Sequence, residues 1–281
     1  MKFGASTFIW VSPFGAGTLD LIARVEDFGF DLIEICVEDP DIIDTDRILE
    51  RLAASGLEVL VCGAFGPNRD MSSTEPLVRD AAARYLRTCI DIAARLGSPT
   101  VSGPMYAGVG ATALREPADR RAQWDRAVEG LGPVADYAAD CGVKLAFEPL
   151  NRFETDLVNT VDQGLSLIAD IGRPNVGFLL DTFHMNIEEK SIPDAISRAG
   201  RHIFEFHACS SDRGTPGEDH LPWPAIATAL AETGYDGPVV IEAFTPKIKE
   251  IARAVSLWRP LAESEDALAR NGLAHLRRVF A

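Results

Sequence analysis

Basic side chains are scarce in this sequence. Its 281 residues hold 27 lysines and arginines against 42 aspartates and glutamates, a formal net charge of −15. A nucleic-acid binder neutralises phosphates with a basic stripe. None is present, so no nucleic-acid partner is expected, and the acidic balance suits a neutral or cationic small substrate. Long hydrophobic runs are missing too. No uninterrupted apolar stretch reaches the roughly 18 residues of a membrane span, and no positively charged start leads into an apolar signal-peptide segment. The expected location is the cytoplasm, with no membrane partner. Cys36, Cys62, Cys89, Cys141 and Cys209 form an odd, scattered set with no CxxC spacing. They read as reduced, mostly buried thiols rather than a disulfide frame or a zinc knuckle. Linkers and low-complexity stretches are absent as well, so residues 1–281 read as a single domain.

What is present is a regular alternation. Short apolar runs at 2–7, 31–37, 57–62, 100–102, 144–148, 176–181, 203–207 and 238–242 read as strands. Helical periodicity fills 19–29, 44–55, 75–96, 116–141, 160–171, 192–199, 223–233 and 247–258, with glycine behind several of these stretches. Strands alternating with helices predict a parallel sheet, and closure of eight into a barrel removes the exposed edges. A doubly wound sheet would usually carry a glycine-rich phosphate turn after its first strand. Here that position holds Phe8-Ile9-Trp10-Val11-Ser12-Pro13-Phe14. The expected fold is α/β, a single (β/α)8 TIM barrel, with 264–280 left over as an extra C-terminal helix.

Four runs in the second half end in side chains able to bind a metal. Lys144-Leu145-Ala146-Phe147-Glu148 stops at Pro149, which has no N–H to extend a ladder. The run 176–181 ends in Asp181, 203–207 in His207, and 238–242 in Glu242. Taken singly, a charged strand end merely marks where a strand meets solvent. In a closed barrel, however, these tips share one rim. Three carboxylates gathered there without a cation would repel, and a divalent ion resolves the repulsion. Oxygen donors with one imidazole suit Mn²⁺, Co²⁺ or Mg²⁺. Glu154, His184 and Arg213 follow in the loops beyond these tips. Trp10, Phe14, Phe65, Tyr106 and Phe244 lie just past strand ends, where aromatic rings can wall a pocket.

With these residues in view, the chain resembles the D-tagatose 3-epimerase family of ketose 3-epimerases, within the xylose-isomerase-like barrel superfamily. The resemblance is carried by Phe147-Glu148-Pro149-Leu150-Asn151-Arg152-Phe153-Glu154-Thr155-Asp156, by Leu180-Asp181-Thr182-Phe183-His184-Met185-Asn186-Ile187-Glu188-Glu189, and by Glu242-Ala243-Phe244. The segment from His207 to Gly217 is most similar to the branch containing L-ribulose 3-epimerases. The resemblance implies one divalent metal per subunit, usually Mn²⁺, on Glu148, Asp181, His207 and Glu242, with Glu148 and Glu242 also the acid/base pair. It implies that Glu154, His184 and Arg213 grip the O1 and O2 end of the ketose and that Cys62 and Phe244 wall the pocket. It further implies a homodimer or homotetramer.

The reaction so implied inverts C3 of a free ketose of the L-ribulose, D-tagatose or D-fructose/D-allulose type. One glutamate removes the C3 proton, a cis-enediolate forms, and the other glutamate returns a proton to the opposite face. Two relatives of this chemistry stand as alternatives: an aldose–ketose isomerase of the hydroxypyruvate-isomerase kind and a polyol-ketone dehydratase. A phosphodiester-cleaving barrel would need more metal ligands than the five histidines, at 184, 202, 207, 220 and 275, comfortably supply. A sugar-binding protein that does no chemistry would not require two opposed bases.

Overall fold

The computed structural model describes residues 1–280. Eight parallel strands form a closed barrel in chain order: β1 (Lys2–Ser6), β2 (Leu32–Val37), β3 (Glu58–Gly63), β4 (Thr100–Gly103), β5 (Lys144–Phe147), β6 (Val176–Asp181), β7 (Ile203–His207) and β8 (Pro238–Ile241). Closure comes from β1, which pairs with both β2 and β8. All six residues of β2 are buried, as expected for a strand covered by helices on one side and packed into the barrel interior on the other.

The helices are α1 (Asp20–Asp27), α2 (Thr45–Ala53), α3 (Pro76–Leu96), α4 (Pro117–Asp140), α5 (Val161–Ile171), α6 (Thr182–Glu188), α7 (Ile192–Ala199), α8 (Trp223–Glu232), α9 (Lys249–Ala254) and α10 (Glu265–Val279). Local chemistry sets their ends. In α5, Thr160 and Gln163 form a reciprocal capping box, and Gly172 closes the helix at φ 65°, a left-handed conformation that glycine adopts without strain. The extra helix α10 packs outside the barrel on β1, β8 and α8. Among the described residues no helix is long and apolar enough to cross a membrane.

Two elements depart from the sequence expectation. Helix α6, for which periodicity gave no sign, starts directly at the end of β6 because Oδ1 of Asp181 accepts from the N–H groups of Phe183 and His184. Helix α9 is shorter than the 247–258 stretch and covers only Lys249–Ala254.

One irregularity positions the site. Phe178 pairs with Ile203, yet the next residue, Leu179, pairs with Glu205, so β7 carries one extra residue. This bulge brings Asp181 level with His207; an unbroken register would have set Phe206 beside it. The interior changes character along its length. Leu32, Leu60 and Val240 form a small apolar plug low in the barrel. Alternation then carries Glu34 and Cys36, Cys62, and Glu242 upward on the same inner face.

Candidate active site

Glu148, Asp181, His207 and Glu242 meet at the C-terminal rim. Each offers one ligand atom, and these four atoms lie within 4.8 Å of one another. All four side chains are buried. Glu148 stands immediately beyond β5, where its N–H donates to the Gly103 carbonyl at 3.2 Å. Tyr106 braces it from behind, with its hydroxyl 3.0 Å from the Glu148 carbonyl and 2.9 Å from that of Val158. Asp181 uses Oδ1 to cap α6, and its Oδ2 accepts from the Cys209 thiol at 2.7 Å. Nδ1 of His207 lies 3.8 Å from both Asp181 and Glu242.

The loop residues join this group. Arg213 reaches Glu242 at 3.3 Å through Nη1 and Glu154 at 3.1 Å through Nη2. Its guanidinium lies between the rings of Phe183 and Phe244, 4.1 and 4.8 Å from their centroids. His184 accepts from the Asn151 N–H at 3.0 Å through Nδ1. That bond leaves the ring proton on Nε2, which faces Glu148 at 3.6 Å. Asn151 also donates from its amide to Glu154 at 2.9 Å.

A cavity of about 220 Å³ opens beside these groups. Glu148, Glu154, His184, Arg213 and Glu242 line it, and Cys62 and Phe244 are in its wall together with Phe8, Phe65, Val109 and Val255. Trp10, Phe14 and Tyr106, expected as possible walls, are elsewhere. Trp10 donates to Asp266 outside the barrel at 2.9 Å, Phe14 is core, and Tyr106 is the brace under Glu148. Val109 and Val255 carried no chemical signal in the sequence, whereas Phe8 is an aromatic directly after the run 2–7, the signal that singled out Trp10 and Phe14 in its place.

A family model described as "Xylose isomerase-like TIM barrel" matches residues 22–279. A Synechocystis sp. protein named a probable ketose 3-epimerase is 36% identical over 280 residues, covering 100% of this chain and 97% of the relative. The D-psicose 3-epimerase of Agrobacterium fabrum is 33% identical, covering 100% and 99%. A solved L-ribulose 3-epimerase structure superposes with a TM-score of 0.93 at 34% identity, covering 99% of this chain and 94% of the other. The chain belongs to the ketose 3-epimerases of the xylose isomerase-like TIM barrel family. It is an isomerase.

The electrostatics of this cluster fit a divalent cation. Glu148 Oε1 and His207 Nδ1 are buried with no hydrogen-bond partner, and buried polar atoms are rarely left so. Burial first, then the charges of Glu242 and Asp181, push the Glu148 carboxyl well above its usual range. Burial and Glu242 likewise push Asp181 up to about 6. A cation among the ligand atoms would offset this repulsion. His184 is pushed the other way: burial and then Arg213 hold it well below the ordinary imidazole value, so it stays neutral. Burial alone would lower His207, but the charge of Glu34, which it also hydrogen-bonds, and the nearby carboxylates of Glu205 and Glu242 carry it well above the ordinary value.

Two acidic residues of this region escaped sequence reasoning. Glu34 and Glu205 are fully buried beneath His207. The available signal was a carboxylate inside each of two apolar strands, Leu32-Ile33-Glu34-Ile35-Cys36-Val37 and Ile203-Phe204-Glu205-Phe206-His207.

Proposed function

We propose that the protein epimerises free ketoses at C3, acting on sugars of the L-ribulose, D-tagatose or D-fructose/D-allulose type, with one divalent cation per subunit and Mn²⁺ the favoured ion. The observation that carries this reading is the set of three carboxylates and one imidazole within 4.8 Å, two of whose buried atoms lack partners, with Glu148 and Glu242 of the set lining a cavity. Glu148, Asp181, His207 and Glu242 would hold the ion, which when bound supplies Lewis-acid polarisation of the C2 carbonyl. Glu148 and Glu242 exchange the C3 proton, one as base and the other as acid, through a cis-enediolate of the sugar. Neutral His184 donates from Nε2, and Arg213 with Glu154 orients the O1–O2 end of the ketose. Cys62 and Phe244 in the apolar wall receive its far end.

The same proposal takes residues 1–281 as one working domain in the cytoplasm, assembled as a homodimer or homotetramer. Leu114 and Phe153, both largely exposed on rim loops, supply apolar surface for a second copy. The experiment is incubation of Mn²⁺-loaded protein with L-ribulose, D-tagatose and D-fructose in D₂O, with product identification. A 3-epimer carrying deuterium at C3 is expected. An aldose product would indicate C1–C2 isomerisation instead, and loss of water a dehydratase.

A further inference from the structure

Beneath the proposed ion site, two carboxylates converge on the imidazole nitrogen that faces away from it. Nε2 of His207 is 2.9 Å from Oε2 of Glu34 on β2 and 3.7 Å from Oε1 of Glu205 on β7. Thr100 on β4 holds Glu205 in turn, its hydroxyl donating to Oε2 at 3.1 Å. Glu34, Glu205 and His207 are all at 0% exposure. Across the ring, Nδ1 has no partner and faces Asp181 and Glu242.

Burying a carboxylate is unfavourable, and apolar side chains of similar volume fill such space at no electrostatic cost. What Glu34 adds is an assignment of the imidazole proton. A ring that gives up its Nδ1 proton when a cation binds and still donates Nε2–H to a carboxylate presents its lone pair on Nδ1, the nitrogen on the ligand side. We propose that Glu34 is the positioning residue of His207: by accepting Nε2–H it fixes the tautomer and the ring plane, and so presents Nδ1 to the divalent ion. Glu205, steadied by Thr100, backs the same nitrogen from the neighbouring direction. This inference rests on the ion site proposed above but assigns a function to a residue outside the ligand set. Loss of such a partner weakens metal binding by about 10–100-fold.

The test is Mn²⁺ binding to chelator-stripped protein, with free Mn²⁺ followed by electron paramagnetic resonance. Glu34→Leu is expected to weaken binding by about 10–100-fold. Glu34→Gln retains an acceptor oxygen in the same place and is expected to recover most of it, a rescue that a merely structural role would not give. Glu58→Gln, on the surface, should bind as the wild type does. Thermal unfolding of the metal-free variants separates a lost fold from a lost ligand partner, and if the leucine variant does not fold, the tautomer decides. In ¹⁵N-histidine-labelled wild type loaded with diamagnetic Mg²⁺, the His207 proton is expected on Nε2; a proton on Nδ1 overturns the inference. Wild-type affinity in Glu34→Leu, or equal losses in both variants, overturns it alone. No Mn²⁺ binding by the wild type overturns the ion site itself and the role of Glu34 with it.

Discussion

One carboxylate oxygen of Glu148 and one of Glu242 lie within 4.8 Å of each other, although their strands, β5 and β8, are separated by two others. Barrel curvature folds the rim back on itself and brings these tips together. A sugar lodged against both has two candidate bases within reach. Glu148→Gln and Glu242→Gln should each lower turnover by about 10²–10⁴-fold, the range associated with general acid–base groups, with some sugar binding retained. Chromatographic product assays and calorimetric titration with a ketose measure the two effects. Wild-type turnover in either variant would end the two-base scheme.

Arg213 adopts φ 65°, an uncommon conformation for a residue other than glycine. The surroundings hold it there: Glu154 and Glu242 take its two terminal nitrogens, and the guanidinium carbon sits over the rings of Phe183 and Phe244. Lysine keeps the charge but loses the fork and the stacking. Arg213→Lys should therefore raise KM by about tenfold, equivalent to about 1.4 kcal/mol of sugar binding. Steady-state kinetics over a ketose concentration series tests this. An unchanged KM would remove Arg213 from substrate binding.

Acidity should govern ion binding. Asp181, at about 6, is raised above its ordinary value of 3.8, chiefly by burial and then by Glu242. Between these values the metal-free folded protein holds a proton that the unfolded chain has released. Its contribution to stability therefore declines as pH rises through that window and stays lost above about 6. Raised Glu148 acts in the same direction. A bound cation offsets this loss and displaces the protons. The gain in Tm on adding Mn²⁺ should therefore grow from about pH 5 to about pH 7.5. Calorimetric scans with and without the ion read it directly, and a gain that shrinks with rising pH would contradict the assignment.

Gly103 sits at φ 115°, and a Cβ built on it would lie 2.6 Å from the Gly63 carbonyl oxygen. Backbone on one side and an unfavourable dihedral on the other leave no room for alanine. Gly103→Ala should cost about 2 kcal/mol or more, measured by urea unfolding. Because the Gly103 carbonyl accepts the Glu148 N–H, the variant should also bind Mn²⁺ more weakly.

The sequence exposed those parts of the site that break a pattern. Glu148 stands out because a proline follows it. Asp181, His207 and Glu242 stand out because each terminates an apolar run at the same point in its strand–helix unit. Glu34 and Glu205 are embedded within apolar runs; Glu205 lies two residues before His207 on the same strand, a spacing that alternation puts on one face, whereas the relation of Glu34 to His207 crosses the barrel, a distance that periodicity does not encode. Val109 and Val255 line the cavity from the segments between strands, with nothing in their chemistry to separate them from core residues. Helix α6 was hidden for a related reason: its start depends on an aspartate that caps with one oxygen while the other faces Cys209.

The polar groups of the cavity, from Glu148 to Glu242, all follow β4 in the chain, whereas Phe8, Cys62, Phe65 and Val109 in its apolar wall come before β5. Part of the apolar wall is thus carried on a different stretch of polypeptide from the polar groups, while Phe244 and Val255 lie on the same stretch as they do. A chimaera that exchanged the first four strand–helix units with those of a relative would replace that part of the wall, and Glu34 beneath His207 with it, while keeping Glu148, Asp181, His207 and Glu242.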